Sequence, residues 1–246
     1  MALTVILGLV FTLAATFVSM ALLARTSFGR VPQAVTFLPV PLVLYCLWMS
    51  AWFVFECLRQ FVLTAMTPAS ALRLVAFVFL ASALFSVGCL YGCVSVVHQF
   101  LGGKASRRVR RGAKYLAVAY SAMLVVGWSE YYFNANSGLF TMLRRVLGHT
   151  AFPLALGVWI WLLVGVRSLS DGPRRASTHR LARAYVALFS VMFIFAATRD
   201  RFEAVSPALP LVIDVFLVLA YTLITVVWVE SVQKAAQRAS RHQAMP

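Results

Sequence analysis

Seven acidic side chains serve the whole 246-residue chain, and the one at position 214 stands where a carboxylate is hardest to place. Asp214 lies about two turns into a run that is otherwise apolar from Leu209 to Tyr221. At the centre of a membrane such a charge costs about 2.5–3.5 kcal/mol on insertion scales unless a partner compensates it. It therefore calls for a proton or a cation, and Arg59, Arg73, Arg199 and Arg201 fall at similar depth. Helical spacing puts Val218, Tyr221, Thr225 and Trp228 on the same face as Asp214. Two roles stay open for the carboxylate: the central polar group of a functional site, or an interhelical hydrogen bond that only holds the fold.

A second constellation precedes it. Tyr45, Trp48, Trp52, Glu56 and Arg59 recur at steps of three or four and so share one helix face. Glu56 and Arg59 can pair within the helix, while the tryptophans form either an interfacial belt or the lining of a cavity. Glu130, beside Trp128, Tyr131 and Tyr132, and the cation Arg73 complete the polar groups toward the same side. The candidate ligand-binding set is thus Asp214, Tyr221, Glu56, Arg59, Trp52, Trp48, Arg73 and Glu130. Nucleophile elbows, HExxH, phosphate-binding glycine loops and paired-acid motifs do not occur, so no catalytic residue, metal ligand or cofactor is expected. Cys46, Cys57, Cys89 and Cys93 fall in apolar segments and are expected to be small packing residues.

These groups have to be carried by apolar segments. With 62% hydrophobic and 12% charged residues the chain falls in the membrane class. A spanning helix takes about 20 apolar residues, and candidates run over 2–24, 37–61, 73–97, 113–133, 151–167, 181–198 and 207–230. The expectation is an all-α, polytopic bundle of seven transmembrane helices in a single domain, with a short basic cytoplasmic tail over 231–246. The first segment has no basic residues before it and is expected to be a span, not a cleaved signal. Of the 22 cations, sixteen fall in one alternating set of connectors and six in the other. The positive-inside rule then puts the N-terminus outside and the C-terminus in the cytoplasm, in a bacterial-type inner membrane.

The net charge of +15 is therefore expected to meet anionic lipid headgroups and not nucleic acid. The run from Lys104 to Lys114 is the densest basic patch. Residues 134–150 form the longest outer connector, whose Leu139, Phe140, Met142, Leu143, Val146 and Leu147 with Arg144 and Arg145 suggest a short amphipathic helix in the interface. The segment 168–179 is the clearest polar loop. His98 and His149 are expected to be solvated at the interfaces. Gly88 and Gly92, with Ser82, Ser86, Cys89 and Cys93, make a small-residue packing face, with the partner helix in this chain or another.

Seven spans, an outside N-terminus and a basic inner face resemble the seven-helix sensory domains of bacterial membrane receptors. That resemblance implies a receptor-like protein with an outward-facing polar site for a small-molecule ligand. In those receptors the last helix continues into an output domain, whereas a tail follows Glu230 here, so signalling would pass through a separate partner. The stretch Val212-Ile213-Asp214-Val215 followed by Leu219-Ala220-Tyr221 is similar to the seventh helix of microbial rhodopsins, but the retinal lysine position is Val218, so no Schiff base can form. A small transporter or channel using Asp214 and Glu56, and an accessory scaffold subunit of a membrane complex, are the alternative functions.

Overall fold

Within lipid, every backbone N–H and C=O must be satisfied inside its own segment, so long apolar runs become helices. The computed structural model describes residues 2–28, 33–134, 138–169 and 173–243. Its helices are α1 (Ala2–Phe28), α2 (Gln33–Thr36), α3 (Pro39–Phe61), α4 (Pro68–Leu101), α5 (Gly103–Asn134), α6 (Gly138–Gly165), α7 (Pro173–Val205) and α8 (Leu209–Gln243). Among the described residues there are thus seven long helices, and six of them are long and apolar enough by composition to cross a membrane. The exception is α5, whose first turns carry Lys104, Arg107, Arg108, Arg110, Arg111 and Lys114. Arg30 and Pro32 of the first connector, 135–137, 170–172 and 244–246 lie outside the described residues.

The helix ends follow local chemistry. Thr67 caps α4 by accepting from the Ser70 N–H at 3.4 Å, with Pro68 at the first helical position. At the far end Gly102 adopts φ 64°, a left-handed conformation that ends α4 and lets α5 begin at the next residue. His98 is tied into this corner, its Nδ1 lying 2.6 Å from Ser106 Oγ, so it is not the freely solvated imidazole expected.

Seven long helices close into a ring in which each packs on its neighbours in chain order and α8 returns to α1. Two cross-contacts, α3 on α8 and α4 on α6, fill the ring. The α3–α4 contact is close because Gly88 and Gly92 face α3: a Cβ on Gly92 would sit 3.2 Å from Pro41 Cβ and 3.3 Å from its backbone. The partner of the small-residue face is therefore in this chain. The main core holds a fully buried aromatic cluster in which Trp159 stacks on Tyr185 at 4.2 Å and Tyr185 Oη lies 2.6 Å from Thr225 Oγ1.

Several boundaries differ from the sequence expectation. The fourth span does not begin at 113: α5 starts at Gly103, so the basic run from Lys104 to Lys114 forms its first turns and not a connector. The outer connector is not a separate interfacial helix, and the fifth span does not begin at 151: α6 runs unbroken from Gly138. Phe140, Leu143, Leu147, Ala151 and Ala155 form one buried stripe, and Tyr120 of α5 donates its hydroxyl hydrogen to the Leu143 carbonyl. Gly148, Pro153 and two arginines disguise this continuity in the sequence. The polar loop after α6 is shorter than expected, because 173–179 already belongs to α7. The tail is not a separate segment either, since α8 continues to Gln243.

Candidate functional site

Five helices line a cavity of about 420 Å³. The middle of α3 supplies Tyr45, Trp48 and Trp52; the middle of α4, Phe79, Ser82 and Ser86; the stretch 141–152 of α6, Thr141, Arg144, Arg145, His149 and Phe152; the last turns of α7, Phe195 and Arg199; and the first turns of α8, Asp214 and Leu217. The end of α7 and the start of α8 meet there across the short turn that joins them.

Asp214 is buried and finds its cation in Arg199, whose Nη1 donates to Oδ2 at 3.0 Å and to Oδ1 at 3.3 Å. Of the four arginines at suitable depth, Arg199 and Arg201 both lie on α7 across the short turn from α8; Arg201 is exposed, and Arg199 is the one turned inward. Its guanidinium carbon also lies 5.3 Å from the ring centre of Trp52 and 5.6 Å from that of Phe195, within range of cation–π attraction. An acid from α8, a cation from α7 and a ring from α3 thus meet at the cavity wall. Its remaining N–H donors have no hydrogen-bond partner among the described residues.

Glu56 and Arg59 pair as expected, with Arg59 Nε at 2.9 Å and Nη2 at 2.7 Å from Oε2. Neither lines the cavity. Tyr221 lies two turns along α8 from Asp214 and is fully buried, its ring 5.4 Å from Tyr45 and 5.5 Å from both Tyr185 and Phe189. It belongs to the aromatic floor under the cavity, and its hydroxyl has no partner among the described residues. Arg73 and Glu130 are not brought to the site: both are exposed, and Arg73 rests 5.6 Å from the ring centre of Tyr132 on α5.

The residues that sequence reasoning missed come mostly from α6. Thr141, Arg144, Arg145, Gly148, His149 and Phe152 line the cavity, although the sequence placed most of them on a surface connector and His149 in solvent. Their signal was the spacing Thr141, Arg145, Gly148 and Phe152, one face of a helix, visible only once 138–152 is joined to the span that follows. Arg144 lies 3.9 Å over the Phe79 ring, and Trp48 stacks on Phe152 at 5.4 Å and 23°.

Among the described residues no cluster of three or more His, Cys, Asp or Glu could hold a metal ion, and the four cysteines are free thiols, three of them buried. The cavity sets three arginines against one aspartate inside aromatic walls. No protein-family model, curated protein or solved structure matches the chain.

Proposed function

We propose that this protein is a receptor-like membrane protein that binds a small molecule in the five-helix cavity and transmits occupancy through α7 and α8. The observation that carries this reading is the Arg199–Asp214 ion pair, which joins those two helices at the cavity wall. A ligand that contacts Arg199 changes the tie between helices as well as filling space, and a shift in equilibrium requires such a differential contact.

The cavity is assigned to the outer side of the cell membrane, on the distribution of cations. Of the six arginines on the less basic side, Arg144, Arg145 and Arg199 line the cavity, so they are site residues and not topogenic loop charges. The remaining contrast, sixteen against Arg59, Arg73 and Arg201, favours an outside N-terminus more strongly than the raw count. Binding without transport is favoured over a transporter by the floor, where Tyr45, Tyr221, Tyr185, Phe189 and Trp159 pack ring on ring. The signal passes to a partner protein at the cytoplasmic end of α8, and the basic surface there meets anionic headgroups.

The test is a thermal-stability screen of the purified protein in nanodiscs against a small-molecule library, followed by uptake assays in proteoliposomes. A receptor gives compounds whose stabilisation is lost in Ser82→Trp, which fills the cavity, and which are not transported. Uptake that requires Asp214 makes the protein a transporter. Stoichiometric co-purification with other membrane subunits, with neither binding nor uptake, makes it a scaffold.

A further inference from the structure

The charge in the cavity is not balanced. Asp214 engages Arg199 alone, through Nη1, and neither Arg144 nor Arg145 has an ion-pair partner among the described residues. Arginine stays protonated at any accessible pH, and both guanidiniums are exposed where they line the cavity. With Asp214 already engaged by Arg199, the lining keeps an excess of two guanidinium charges on adjoining residues of α6, and an anion entering the cavity would balance it.

The remainder of the wall describes the anion's body. Arg144 is held face-on over Phe79 at 3.9 Å, an arrangement that orients its planar fork. Trp48 and Phe152 are already stacked on one another, and Trp52 and Phe195 flank Arg199. Such surfaces favour a flat ring in offset or edge contact. Ser86 gives its hydroxyl hydrogen to the Ala83 carbonyl, whereas the Ser82 hydroxyl, which also lines the cavity, has no partner among the described residues and can bond a ligand. A cavity of about 420 Å³ lies at the small end of ligand pockets, about 300–1,000 Å³.

We infer that the cavity takes a small aromatic carboxylate, its carboxylate on Arg144 and Arg145 and its ring among the tryptophans and phenylalanines. This rests on the cavity being a ligand site. A carboxylate matches a guanidinium in two parallel hydrogen bonds, whereas an organic cation would meet three arginines. The headgroup of an anionic lipid has the same charge but no flat ring.

Equilibrium dialysis of tritiated 2-naphthoate, 2-naphthylmethanol and 2-naphthylmethylamine against the protein in phosphatidylcholine nanodiscs separates these cases. Expected is 2-naphthoate binding at least about tenfold tighter than the alcohol, no saturable binding of the amine, and loss of that preference in the double variant Arg144→Gln/Arg145→Gln. Should that variant not elute as a monodisperse species, Arg144→Lys/Arg145→Lys keeps the charge without the fork and is expected to weaken 2-naphthoate while still preferring it over the alcohol. Equal binding of acid and alcohol, or a preference untouched by these substitutions, overturns the inference. So does displacement of 2-naphthoate by added phosphatidylglycerol, which assigns the site to a lipid headgroup. If none of the three probes binds in a way that Ser82→Trp blocks, the carboxylate assignment fails. The ligand-site reading then stands only if the library screen yields a compound that Ser82→Trp abolishes, and falls with it otherwise.

Discussion

Two ion pairs occupy the same end of the bundle, and they differ in what they hold together. Glu56 and Asp214 are equally buried, each 5% exposed, but their arginines are not: the Arg59 side chain is 52% exposed and that of Arg199 28%. Arg59 reaches three residues back along its own helix, whereas Arg199 reaches from α7 to α8. A pair within one helix survives any rigid movement of that helix. A pair between helices breaks when they part, so of the two it is Arg199–Asp214 that a movement of α7 against α8 at the cavity wall would break. The difference teaches that depth and burial of a carboxylate do not distinguish a tie between helices from a tie within one; the identity of the element that carries its partner does.

The comparison breaks first at Asp214. Asp214→Leu leaves Arg199 half-buried beside aromatic rings without its acid, and we expect a loss of about 2–3 kcal/mol of stability, below the figure for a fully buried pair because Arg199 still reaches solvent. Reversible unfolding in mixed micelles measures it; an unchanged or higher stability would mean that the interhelical pair does not hold α7 to α8. Next in size is Arg199→Lys, which keeps the charge but loses planar contact with Trp52 and Phe195, for an expected cost of about 1 kcal/mol. A cost near zero would assign Arg199 to the carboxylate alone. The smallest effect is expected in a double-mutant cycle of Glu56→Gln and Arg59→Gln, with a coupling of about 1 kcal/mol or less because Arg59 is largely exposed. A coupling there larger than in the matching cycle of Asp214→Asn and Arg199→Gln would reverse the ranking of the two pairs.

What the sequence disclosed and what it hid have separate physical causes. Seven helices were legible because each apolar run comes near or above the length a bilayer demands, although the basic first turns of α5 keep it from qualifying as a span by composition, and Asp214 stood out because a lone carboxylate interrupts one of the runs. The partner of Asp214 was narrowed to four arginines and no further, since depth is readable along a helix but rotation about its axis is not. Arg73 and Glu130 share the depth of the site yet sit on α4 and α5 surfaces turned away from it. The α6 arginines were lost for the opposite reason: Gly148, Pro153 and two charges look like a connector, and only the buried stripe from Phe140 to Ala155 makes them part of a helix. Charged residues lining a membrane cavity lower the very hydropathy by which a span is recognised.

Accessibility of the cavity from outside the cell tests the central claim most directly. In a background with Cys46, Cys57, Cys89 and Cys93 replaced, Ser82→Cys puts one thiol on the cavity wall, and Ser95→Cys, on the same helix but buried, serves as the control. A membrane-impermeant methanethiosulfonate applied to intact cells is predicted to label position 82 and not position 95, with 2-naphthoate slowing the labelling. Labelling of position 82 only from inverted vesicles, or from neither side, would contradict an outward-facing ligand cavity.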